Sequence, residues 1–153
     1  MFKIEIRPLK IEDAKISYKW RNDPEIWKYT GNRPNKIITL KIEKDWIKNA
    51  IQDKSTRRFA IIVNDIYIGN VQLTNIIENE TGQIHIFIGN KIYWGKGIAT
   101  KAIILIVKYA TEILKLHELY AFINANNIPS IKAFEKNGFV RLTDEVKMVK
   151  KLI

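Results

Sequence analysis

The stretch IYWGKGIATKAI, residues 92–103, places two glycines around a lysine and then runs into an apolar string. Small residues let the backbone approach a ligand, and a turn that opens a helix leaves its first N–H groups at the positive end of the helix dipole. The stretch therefore reads as a cradle for a phosphate or pyrophosphate. It is not a Walker A loop, because Asn90 stands where that motif needs its first glycine and Lys96 is followed by Gly97. Nor is it a dinucleotide fingerprint: Thr100 takes the third glycine position, and three β-rich runs precede the turn.

Those three runs are RRFAIIV (57–63), YIGNVQLTNII (67–77) and GQIHIFIG (82–89), separated by short polar turns as in an antiparallel meander. Downstream, a long apolar helix is predicted from about Gly97 to Leu114, then a strand at ELYAFIN (118–124). NNIPSIKAFEKNGF (126–139) reads as a short helix with Gly138 as a left-handed cap, and the tail VRL…VKMVKKLI as a closing hairpin. Towards the start, KIEIRPL (3–9) alternates as a strand and residues 11–21 have helical spacing broken by NDPE. Residues 39–54 form a second helix, capped by Thr39, with a stripe of Ile42, Trp46, Ile47, Ala50 and Ile51. The order β-α-α-β-β-β-α-β-α-β-β defines an α/β sandwich. Its central sheet is mixed, mostly antiparallel, of about seven strands, with helices on both faces.

Composition bounds the function. At 153 residues and 46% hydrophobic content the chain is the size of one domain with a real core. Its longest apolar run, Ala102 to Val107, is far below the roughly 20 residues of a membrane span, and no signal peptide is expected. The absence of cysteine removes disulfides, thiolate nucleophiles and zinc–cysteine clusters, and a cytoplasmic location is the simple expectation. Lysine and arginine outnumber the acids 26 to 16, a formal +10, which attracts phosphorylated ligands. The lysines are spread over every element without a recognition motif, so nucleic acid is not the expected partner. His85 and His117 have no metal-ligand spacing, and no metal is expected; His117 sits at a helix end, where a cation meets the dipole.

Trp94-Gly95-Lys96-Gly97-Ile98-Ala99, with the strand before it, the long helix after it and then Asn127…Ser130…Phe134…Gly138-Phe139, resembles the GNAT superfamily of acyl-CoA N-acyltransferases. The family's pyrophosphate loop reads Q/R-x-x-G-x-G/A, matched at Gly97 and Ala99 and departed from at Trp94. Its second block, N-x-x-[AS]-x-x-x-[YF]-x-x-x-G-F, is matched at every spacing, and the element order agrees over essentially the whole chain, one N-acetyltransferase domain over 1–153. The resemblance implies acetyl-CoA as cosubstrate, held by Trp94 through Thr100, by the main chain of Phe87 and Ile88, and by Asn127 and Phe134. It also implies direct attack of an amine on the thioester, in keeping with a chain that has no cysteine for an acyl-enzyme.

An ammonium of pKa near 10 must lose a proton before it attacks. The family often carries a glutamate base on the strand before the turn, and the matching position is Gln83, which cannot take a proton and is read as a substrate contact. His85, two residues on and on the same face, is the candidate base, directly or through water, with Glu78 and Glu80 as the other candidates. Many relatives place a tyrosine acid where this chain has Phe134, so the thiolate leaves unassisted or with Tyr120 as donor. Asn127 is a candidate polar contact near the reacting group.

SYKWRNDPEIWKYTGNRP (17–34) gathers Trp20, Arg21, Asn22, Trp27, Tyr29 and Arg33 where a loop joins two helices, so aromatics can stack and arginines clamp phosphate. Trp46 is assigned to the core, and Arg57 and Arg58 to a solvated strand edge. WRNDPEI is similar to the stretch in acetyltransferases acting on nucleotide-linked amino sugars and to that of the ribosomal-protein N-terminal acetyltransferases. A small-molecule amine, best a nucleotide-linked amino sugar, is the expected acceptor. The alternatives are N-terminal acetylation, another small amine, or a non-enzymatic acyl-CoA sensor, and a homodimer is left open.

Overall fold

The computed structural model describes residues 2–29, 35–142 and 147–152. Alternation builds the sheet. In Arg57–Val63, Phe59, Ile61 and Val63 are buried on one face while Arg58, Ala60 and Ile62 turn to the other, and the neighbouring strands repeat the pattern. The strands are β1 (Ile4–Pro8), β2 (Arg57–Val63), β3 (Ile66–Ile77), β4 (Thr81–Ile88), β5 (Glu118–Phe122), β6 (Val140–Arg141) and β7 (Lys147–Lys151). They form one sheet in the order β1-β2-β3-β4-β5-β7-β6. Every pairing is antiparallel except β4 with β5. The helices are α1 (Ala14–Arg21), α2 (Leu40–Ala50), α3 (Ile98–Glu112) and α4 (Ile128–Glu135).

On one face α3 lays Ile98, Ala102, Ile103, Ile106 and Ala110 onto Ile61, Ile68, Val71 and Leu73, with Phe134 of α4 in the same cluster. A second cluster lies on the opposite face, where Trp20 of α1 and Ile47 of α2 meet Ala60 and Tyr67, with Phe87 packed against them. Trp20 is its keystone. Its ring stands 4.8 Å from Tyr67 and 5.9 Å from Phe87, and a Cβ added to Gly89 would lie 2.0 Å from it. Arg7 of β1 donates twice to the buried carboxylate of Asp13, at 2.9 and 2.7 Å, which fixes the start of α1.

The expected element order is the observed one, with local differences at the ends. Residues 11–13 are a single 3-10 turn before α1, and α2 stops at Ala50 because Asp53 Oδ1 accepts from the N–H and Oγ of Ser55 and turns the chain into β2. Thr39 caps α2, its Oγ1 accepting from Ile42 N at 3.2 Å. Trp46 is not core: it is 36% exposed and looks into a cleft. Arg58 is no solvated edge either, since β2 lies inside the sheet and Arg58 is half-buried over the Trp46 ring.

Trp20→Ala is expected to lower the unfolding free energy by about 3 to 5 kcal/mol, through a cavity that the paired rings of Tyr67 and Phe87 cannot fill. Urea denaturation checks it; a loss under about 1 kcal/mol would show that the second cluster does not depend on this ring.

Candidate active site

Parallel pairing of β4 with β5 covers only Thr81–Gln83 against Glu118–Tyr120. Beyond that point β4 stays with β3 and β5 with β7, so a gap opens between the two strands. Gly89 N donates to Ile68 O across β3, and by alternation Phe87 and His85 also spend their backbone groups on β3. Ile86 and Ile88 therefore turn their amides into the gap. Ile88, expected to offer its main chain, faces the gap with it; the main chain of Phe87 faces β3 and its ring lines the cleft on the other face. Trp94 has a visible task here, since its indole N–H donates to Ile88 O at 2.8 Å.

At the open end of the gap stands the glycine turn. Gly95 and Gly97 have φ of +71° and +77°, and a Cβ on either would meet nothing within 4 Å. Their positive φ is a conformational requirement that glycine meets without strain. Gly97 ends the turn as the cap of α3, and the first helical bond runs from Lys101 N to Gly97 O, leaving the N–H groups of Ile98, Ala99 and Thr100 without intrahelical partners. That is an anion cradle at a helix N-terminus of 15 residues, beside a slot with free strand amides. The arrangement fits a pyrophosphate followed by an extended amide chain.

The other face of the same strands carries polar rows. Arg58, Gln72 and His85 are successive cross-strand partners on β2, β3 and β4, and Thr74, Gln83 and Tyr120 form the next row on β3, β4 and β5. Arg58 Nη1 donates to Gln72 Oε1 at 2.8 Å, Asn75 Nδ2 to Gln83 Oε1 at 2.8 Å, and His85 Nε2 lies 2.8 Å from Thr74 Oγ1. The His85 ring is at the surface yet flanked by protein. Burial first, and the Arg58 cation second, hold its pKa below the ordinary value, so it is neutral at pH 7.

Above these rows, α1 and α2 roof a cleft of about 230 Å³ lined by Arg21, Trp27, Glu43, Trp46, Asn70, Gln72 and Phe87. The Arg21 guanidinium lies over both Trp27 and Trp46, at 5.9 and 5.2 Å, and that of Arg58 over Trp46 at 5.0 Å. The loop after α1 is tied to the turn preceding Trp94 by Lys91, whose Nζ is 2.7 Å from both Asp23 and Glu25. The Lys91 ammonium in turn draws the Asp23 pKa below its ordinary value.

Several expected site residues have other tasks. Trp20 is buried in the second cluster, and Asn22 clamps the loop by bonding Tyr18 O, Ile38 O and Ile38 N. Phe134, 1% exposed and 5.0 Å edge-on from Phe139, packs in the core and shows no surface to the gap. Glu78 sits in the exposed β3–β4 turn and Glu80 at its end, on the paired side of the fork away from the gap. Asn127 uses Oδ1 to cap α4 at Ser130 N, 3.4 Å away. Tyr120 stands at the fork, with Lys147 Nζ 4.9 Å from its ring. Tyr29 is half-buried under Lys28, and Arg33 lies outside the described residues.

Glu43, Trp46, Asn70 and Gln72 line the cleft and Arg58 lies over the Trp46 ring, and sequence reasoning gave none of them a place in the site. Glu43 did carry a signal: it falls on the stripe of Trp46, Ile47 and Ala50, at i, i+3, i+4 and i+7. Among the described residues no group of three His, Cys, Asp or Glu stands close enough to hold a metal, and no helix is long and apolar enough to cross a membrane.

Residues 3–140 match the acetyltransferase (GNAT) domain, and the chain belongs to that family. An N-acetyltransferase p20 of Bacillus licheniformis is 31% identical over 95% of this chain and 86% of its own length. Spermidine N(1)-acetyltransferase of Escherichia coli is 28% identical, over 89% of this chain and 72% of its own. Acetyltransferase PseH of Campylobacter jejuni is 27% identical over 91% and 83%, and its crystal structure with acetyl coenzyme A has the same fold, with a TM-score of 0.74 over 99% of this chain and 100% of that one. The chain is an acetyl-CoA-dependent N-acetyltransferase of the GNAT type.

Gly97→Ala is expected to cost about 1 to 2 kcal/mol from the left-handed φ and to weaken acetyl-CoA binding at least fivefold as the first turn of α3 shifts. Thermal shift against an acetyl-CoA titration checks it; unchanged affinity would separate the turn from the cofactor.

Proposed function

We propose that this enzyme acetylates the primary amine of a nucleotide-linked amino sugar, with His85 as the base. The observation that supports it most is the cleft itself, which brings the aromatic rings of Trp27, Trp46 and Phe87 together with the guanidinium of Arg21, while that of Arg58 lies over the Trp46 ring. Such a site accepts a flat base or sugar and an anionic linker together. The formal charge of +10 works in the same direction and against a polyamine. In this reading the acceptor amine lies between the cleft and the fork at Gln83 and Tyr120, and the enzyme works in the cytoplasm as one domain over residues 1–153.

Acetyl-CoA supplies the acetyl group as a thioester, held by the glycine turn and the amides of Ile86 and Ile88. His85 is neutral at pH 7 because Arg58 and its partial burial oppose the imidazolium. When Nε2–H donates to Thr74 Oγ1, Nδ1 keeps its lone pair and takes the proton that the ammonium must lose. Gln83, held by Asn75, is a neutral contact beside it. With Phe134 in the core, the Tyr120 phenol, paired across from Gln83, is taken as the donor to the thiolate in this reading, and a thiol of pKa about 8.5 also leaves without help.

His85→Gln is expected to lower kcat/KM by about 100-fold or more at pH 7. The wild-type limb due to the enzyme should lie below pH 6.5, since the folded protein favours neutral His85, and should vanish in the variant. Equal profiles for both proteins from pH 5 to 9 would remove His85 from the chemistry. In a thiol-release panel of UDP-glucosamine, spermidine, kanamycin and a ribosomal-protein N-terminal peptide, the nucleotide sugar should show the highest kcat/KM, by about tenfold. A polyamine or peptide at the top would overturn the acceptor.

A further inference from the structure

Among the described residues two buried side-chain atoms lack a hydrogen-bond partner, Oε1 of Glu43 and Nε of Arg58, and both belong to residues beside Trp46. Glu43 is 3% exposed. Its Oε2 accepts from Ser17 Oγ at 2.8 Å, while Oε1 faces Arg21 Nη1 at 3.6 Å, near enough for charge attraction and too far for a hydrogen bond. A buried carboxylate oxygen without a donor is costly, and native proteins retain one where a ligand completes it. Glu43 lines the cleft that also holds Trp27, Trp46 and Phe87.

We propose that Glu43 Oε1, covered in the ligand-free cleft, is uncovered by a small shift of the Arg21 side chain and receives a hydrogen from a neutral O–H or N–H of the acceptor, a sugar hydroxyl or a base imide, and is thereby a specificity residue of the acceptor site. The neutrality follows from the surroundings. Arg21 already balances the Glu43 charge, and Arg58 lies over the same Trp46 ring, so an added ammonium would face an excess of positive charge, whereas a neutral donor completes Oε1 without that repulsion. A donor that reads Glu43 is also distinct from the amine acetylated near His85. The inference rests on the cleft being the acceptor site.

The test is quenching of tryptophan fluorescence, to which Trp27 and Trp46 contribute from the cleft wall, by UDP-glucosamine, UDP and spermidine. Glu43→Ala should bind UDP-glucosamine at least about tenfold more weakly than wild type, whereas Glu43→Gln, which keeps an oxygen acceptor, should stay within about threefold. UDP sharing the loss assigns the donor to the nucleoside, its base imide or a ribose hydroxyl; UDP without it assigns a hydroxyl of the glucosamine. The acetyl-CoA thermal shift should be the same in all three proteins, and a variant that loses it makes Glu43 structural and overturns the assignment. Equal affinity of Glu43→Ala and wild type overturns it too. So does tight spermidine binding by wild type that Glu43→Gln and Glu43→Ala lose alike, because Glu43 then reads a cation. If wild type binds neither nucleotide, the nucleotide-sugar reading falls, and the same variants against the panel amine that turns over decide Glu43 separately.

Discussion

Three residue pairs hold β4 to β5, and the release of those strands beyond Gln83 and Tyr120 is the constraint on which the rest of the site depends. Backbone N–H and C=O groups in the interior of a sheet are normally spent on a neighbour. Here Ile86 and Ile88 are left facing a gap, and Trp94 returns one donor to Ile88 O at its rim. The gap is thus an edge inside a seven-stranded sheet, open to an extended amide chain. The left-handed turn at Gly95 and Gly97 follows directly, so a free helix N-terminus meets the same gap.

The two faces of the sheet divide the work by polarity. Under α3 and α4 the inward side chains are almost all aliphatic or Phe, a packed layer that fixes the strands. Under α1 and α2 the same strands present Arg58, Asn70, Gln72, Thr74, Gln83 and His85, and these polar groups are tolerated because they bond across strands or look into a cleft. The Lys91 bridge to Asp23 and Glu25 ties the loop after α1, which carries Trp27 into the cleft, to the turn that precedes Gly95 and Gly97.

Much of this was legible in local pattern. The strands RRFAIIV and YIGNVQLTNII, the Thr39 cap and the stripe of α3 all depend on neighbours within one or two turns, and they stand where the alternation and the 3.6-residue period place them. The site was legible only in part. Trp46 and Arg58 read as core and as edge because each was judged within its own segment. Trp20 and Asn22 read as ligands because the WRN stretch is rich in binding chemistry, yet one is buried against Gly89 and the other bonds Ile38, sixteen residues on.

The sequence by itself determined the order of the elements and the phosphate turn, because periodicity, capping and positive φ are properties of short segments that only particular residues satisfy. The tertiary structure alone decided which side chains meet in the cleft under α1 and α2. Glu43, Trp46, Gln72 and Phe87 come from α2, β3 and β4, and their meeting depends on strand register and on how α1 and α2 dock, both set by packing between segments far apart in the chain.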